Sequence, residues 1–188
     1  MQQQLAVLID SLESSQSQLR GLSDRLSESE WTRRPAPDRW SAADCVEHLN
    51  LTSRAFLPLL RDAIAEARLT GRAAKPRYRR DAIGWFMSMM MGPLRHVGKA
   101  RVVRVKTLPP FVPKGNRSRT EILSDFVRNE AELISLIRSA DGLPIDGVKI
   151  VSPFGGRVKY NVYSAFVILA RHQERHLEQA EQAVGSGR

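Results

Sequence analysis

With 188 residues, 42% of them apolar and 26% charged, the chain has the composition of a folded protein with a core of its own, which excludes a disordered polymer. A lone cysteine, Cys45, excludes an internal disulfide and any Cys-rich zinc site. The net charge of +9 invites a polyanionic partner, yet ten basic residues between Arg72 and Lys106 face a single acid, Asp81, and account for all of it.

From about Gln3 to Leu26, Leu5, Leu8, Ile9, Leu12, Leu19, Leu22 and Leu26 recur at spacings of three, four and seven, which predicts a first amphipathic helix. Trp31 to Arg39 holds two prolines and no periodicity, so it reads as a loop. Ser41-Ala42-Ala43-Asp44 is a capping box that opens a second helix, with Trp40 placed to reach Cys45 as a hydrophobic staple. Its apolar face runs from Val46 to about Arg68, Pro58 marks a kink or irregularity, and Thr70-Gly71 ends it.

Residues 72–116 carry too many glycines and prolines for a long element. A short helix fits around Trp85 to Met91, and the segment is expected to wrap over the bundle or cover a site. Ser118-Arg119-Thr120-Glu121 caps a third helix, which Asp141-Gly142-Leu143-Pro144 stops. Ile145 to Lys159 reads as a loop. Asn161 caps a fourth helix to about Val184. The expected fold is therefore all-α: one four-helix bundle over residues 1–188, with a long irregular segment between its second and third helices.

Two imidazoles in His172-Gln173-Glu174-Arg175-His176 project from one helical face a turn apart, close enough to share a metal. The metalloprotease HExxH pattern puts a Glu after its first His, but position 173 is Gln, and Glu174 and Glu178 point off the histidine face. His48 borders the apolar stripe of the second helix, where Leu or Ala is usual. Together, three neutral imidazoles that leave coordination positions open fit a Zn, Ni or Fe site of the catalytic type. Asp44 lies a turn before His48, but its capping role accounts for it. Cys45 reads as a small core residue, His96 as a surface residue, and Gln179 as solvated or bonded to His176.

The stretches Asp38-Arg39-Trp40-Ser41, Glu47-His48-Leu49, Pro153-Phe154-Gly155 and His172 to Gln179 together resemble the DinB-like (YfiT-related) family of metal-binding four-helix bundles over nearly the whole chain. The resemblance implies a divalent metal on His48, His172 and His176, with water or substrate completing the shell. It also implies a homodimer, and an activity of the thiol-dependent transferase, isomerase or hydrolase type with a low-molecular-weight thiol as co-substrate.

The leading expectation is thus a metal-dependent enzyme acting on a small-molecule substrate, with no catalytic residue assigned. The competing one is a binding module in which Arg72 to Lys106, with Trp85, Phe86 and four methionines, meets an anionic membrane or a nucleic-acid backbone. For that segment the first reading is a cover whose aromatic and Met residues pack on the bundle beside the metal. With no stretch near the ~20 apolar residues of a membrane span and no basic leader before an apolar run, the expected location is cytoplasmic.

Overall fold

The computed structural model describes residues 1–93 and 107–185. Four long helices form its body: α1 (Gln3–Arg25), α3 (Ala42–Leu69), α5 (Arg119–Ser139) and α6 (Val162–Gly185). The mostly helical architecture agrees with the all-α expectation. α3 lies along both α5 and α6, and α1 packs against the same two helices.

The apolar stripes explain this arrangement. Leu5, Leu8, Ile9 and Leu12 of α1 meet Phe56, Leu60 and Ile64 of α3, Leu133 and Ile137 of α5, and Phe166 and Leu169 of α6 in one buried cluster. A second cluster gathers Leu19, Trp31, Cys45, Val46, Phe126, Leu177 and Ala180. On α6 the two clusters flank the histidine turn, Ala170 belonging to one and Leu177 to the other. Pro58 lies inside α3 on its exposed side, so the hydrogen bond that its ring removes faces water and the helix continues. Across the α3–α5 seam, the buried Asp125 carboxylate gathers Arg54, Arg117 and Arg128.

Both predicted capping boxes are present: Ser41 Oγ accepts from Asp44 N–H, and Ser118 Oγ from Glu121 N–H. A third one makes Trp31 helical rather than loop. Ser27 and Glu30 cap the short helix α2 (Glu28–Thr32), which buries Trp31 completely. The expected loop from Ile145 to Lys159 contains β1 (Lys149–Val151), paired antiparallel with β2 (Lys159–Asn161). These strands are three residues each, too short for alternation to reveal them.

Within the segment between the second and third long helices, α4 (Ala82–Met91) and a 3-10 turn (Pro109–Phe111) are ordered on the bundle. Asp81 caps α4 through the Gly84 N–H and also accepts the Asn161 N–H at 2.9 Å, tying the start of α4 to the start of α6. Gly84 permits the close approach that follows: a Cβ there would sit 2.1 Å from Ser164 Oγ. Leu94 to Lys106, with His96 and five of the ten basic residues, lies outside the described residues.

Candidate metal centre

His48 reaches inward from α3, and His172 and His176 from successive turns of α6. Helical spacing explains the second pair, and α3–α6 packing supplies the third imidazole. All three are buried, and one ligand atom from each lies within 4.8 Å of the others. The rings stand edge to face, His176 at 4.5 Å from both His48 and His172, and His48 at 5.1 Å from His172.

Hydrogen bonding settles which face of His48 is free. Its Nδ1 lies 2.8 Å from the Phe111 carbonyl, which can only accept, so Nδ1 donates and the Nε2 lone pair turns inward. That Nε2 is 3.0 Å from His172 Nε2, and His172 Nδ1 and His176 Nδ1 are buried without a hydrogen bond. The backbone of Met91 and the side chain of Gln179 act on His172 and His176 against their drop in pKa, but from outside hydrogen-bonding geometry.

Burial holds all three imidazoles neutral. It pulls His48 down to about 4, despite the Phe111 carbonyl, and lowers His172 and His176 well below the ordinary value. His48 disfavours a charge on His172, both disfavour one on His176, and Arg175, whose Nη1 donates to the Met90 carbonyl at 2.9 Å, adds to the effect on all three. A metal ion needs ligands in this neutral form.

These residues fit a divalent cation. Tetrahedral zinc with nitrogen ligands at about 2.1 Å separates them by roughly 3.4 Å, so the cluster needs only small side-chain adjustments. The close pair of His48 and His172 Nε2 atoms is what a bound cation would resolve by accepting both lone pairs. No carboxylate or thiol joins the cluster among the described residues. Three side-chain ligands leave coordination open to a small molecule.

Apolar groups enclose the site. Trp40 lies 4.8 Å from the His48 ring and 5.7 Å from that of His176. Phe154, from the Pro153-Phe154-Gly155 turn, is 5.6 Å from His172 and 5.2 Å from Phe111. Trp40 therefore covers two imidazoles besides packing on the cluster that holds Cys45.

The other residues singled out in the sequence fall elsewhere. Asp44 closes its capping box and takes a two-pronged pair from Arg34, at 2.7 and 3.0 Å. Cys45 is a buried thiol whose pKa is pushed up by burial. Glu174 accepts from Ser11. Gln173, beside His172, donates to Glu130 of α5, a buried carboxyl whose pKa burial raises to about 7 and whose Oε1 has no partner. The sequence analysis missed Glu130, Phe111 and Arg175. Glu130 had a legible signal, an acid three residues before Leu133 on the buried stripe.

The covering segment is only half as expected. Met87 and Met91 pack against the core, whereas Trp85, Phe86 and Met89 remain half exposed. No helix among the described residues is long and apolar enough to cross a membrane. Searches of curated proteins and of solved structures returned no match. The DinB superfamily model matches residues 11–180, which takes in all three histidines, Trp40 and Phe154, and the chain belongs to the DinB superfamily.

Proposed function

We propose that the chain is a metal-dependent enzyme of the thiol-dependent transferase or hydrolase type, with a divalent cation (Zn, Ni or Fe) on His48, His172 and His176. One observation carries the reading: three buried, neutral imidazoles converge from two helices and no fourth protein ligand joins them among the described residues. Structural zinc sites are normally closed by four protein ligands, whereas sites for chemistry keep a position open.

The cation would supply Lewis acidity toward a thiol, water or carbonyl group of the substrates. The chain's own residues set the conditions. The Phe111 carbonyl holds the His48 ring in the tautomer that presents Nε2. Trp40 and Phe154 exclude water, which strengthens electrostatic interactions inside the site. Arg175 adds a fixed positive field that favours anionic species over neutral ones. With Gln at position 173 and Glu174 bonded to Ser11, the α6 turn offers no carboxylate base in the metalloprotease position.

Elemental analysis of the purified protein is the first test, with about one equivalent of a divalent metal expected, followed by assays of thiol conjugation and hydrolysis with and without low-molecular-weight thiols. Metal-free protein that takes up no Zn, Ni or Fe would refute the reading.

A further inference from the structure

α4 is fastened to the bundle on one side and bare on the other. Gly84 and Ser88 are buried, Arg80 Nη1 donates to Ser88 Oγ at 2.8 Å, and Asp81 binds backbone N–H groups of α4 and α6. On the outer side Ile83 is 47% exposed, and Trp85, Phe86 and Met89 are each 51% exposed. At 100° per residue, Trp85, Phe86 and Met89 share one face of the helix with Ala82, and Ile83 borders it. The exposure of that face is a property of a docked helix, not of a fraying one. Four large apolar side chains on one ten-residue helix make a patch that soluble surfaces rarely leave bare without a use.

The surroundings select the partner. Arg77 and Arg79, both exposed, immediately precede α4. The hairpin packed on α4 carries exposed Lys149 and Lys159. The one acid of the segment, Asp81, has its carboxylate engaged as the helix cap and lies 3.9 Å from Lys149 Nζ.

We propose that the outer face of α4 is a docking surface for an anionic lipid bilayer, with Trp85, Phe86 and Met89 entering the interfacial layer and the basic rim meeting acidic headgroups. An amphipathic helix lying in the plane of the interface combines these two components, aromatic and aliphatic burial with attraction of Lys and Arg to acidic lipid. A second copy of the chain fits less well, because mating two α4 faces would bring two basic rims together. A nucleic acid would answer the charges and leave the apolar crown unused. The proposal does not depend on the metal reading, since no histidine takes part.

The test is co-sedimentation of the whole protein with vesicles of phosphatidylcholine alone and of equimolar phosphatidylserine and phosphatidylcholine. Binding is expected only with the acidic vesicles, and it should weaken as salt rises. The double variant Trp85→Ser/Phe86→Ser should lose at least about tenfold in affinity, and Arg77→Gln/Arg79→Gln roughly fivefold per charge. Unchanged helicity and an unchanged thermal unfolding midpoint would show both variants folded. Trp85→Phe should still sediment while losing the vesicle-induced blue shift of tryptophan fluorescence. The proposal is overturned if acidic vesicles leave the protein in solution or if Trp85→Ser/Phe86→Ser binds them as the parent does. A dimer that this variant dissociates, or tight binding of duplex DNA that it leaves intact, also overturns it.

Discussion

The α3–α6 interface at the histidines and the outer face of α4 break the apolar-inside pattern in opposite directions. In the first, three imidazoles lie where a bundle would place Leu or Ala, with the buried Glu130 carboxyl of α5 bonded to Gln173 beside them. In the second, Trp85, Phe86 and Met89 are half exposed to water where Lys or Glu would be ordinary. Buried polar residues elsewhere, such as Asp125 among its arginines and Asn50 bonded to Asn129, have side-chain partners that account for them, and departures without such an account are where function is to be sought. The two regions also differ in how they tolerate change: the buried one is enclosed by Trp40, Phe111 and Phe154, while the exposed one touches little of the core on its outer side.

Complete loss of one property is expected at the buried site. His172→Ala should abolish bound metal while the circular dichroism of the helices persists, because the apolar clusters hold the bundle together. Unfolding of that variant would make the cation structural and erase the contrast with α4. Phe111→Ala should weaken metal affinity by about 10- to 100-fold, since the turn that orients His48 through its carbonyl loses its anchor. Metal titration of the variant checks this, and unchanged affinity would show that the His48 ring is set by Trp40 alone.

Glu130 tests the cost of burying polarity. Its pKa is raised by burial from 4.5 to about 7, so between those values the unfolded chain ionises and the folded one does not. Stability from this group is fully present below pH 4.5 and falls as pH rises toward 7, by about 3 kcal/mol in all. Glu130→Gln should remove that slope and be the more stable protein at pH 8 in urea unfolding. Equal slopes in both proteins would mean that Glu130 ionises freely.

Smaller effects belong to the periphery. Ser118→Ala should cost about 1 kcal/mol through loss of the α5 cap, measured as a lowered denaturation midpoint. Trp85→Gln, on the exposed face of α4, should change stability by no more than about 0.5 kcal/mol, because the side chain is already half in solvent. A larger loss would place Trp85 in the core and remove the second half of the contrast.

Local chemistry accounts for what was legible in the sequence. Helix positions followed from the 3.6-residue stripes, and the starts of α3, α5 and α6 from Ser41, Ser118 and Asn161, because caps and amphipathicity act within a few residues. The same rules were available for Ser27 to Glu30, where the short helix α2 went unread, and for Asp81 to Gly84, which moves the start of the short helix expected around Trp85 back to Ala82. The i, i+4 pair His172 and His176 was equally visible, since one helix fixes both directions.

Only the tertiary structure could bring His48 to that pair, turn the Phe111 carbonyl onto its Nδ1 or set Glu130 against Gln173, because each contact joins segments more than forty residues apart. It also divided the α4 apolar residues, seating Met87 and Met91 and leaving Trp85 and Phe86 outside. Composition shows that a stretch is apolar. Which of its sides meets the protein depends on where a glycine allows close approach, and here Gly84 against Ser164 makes that choice.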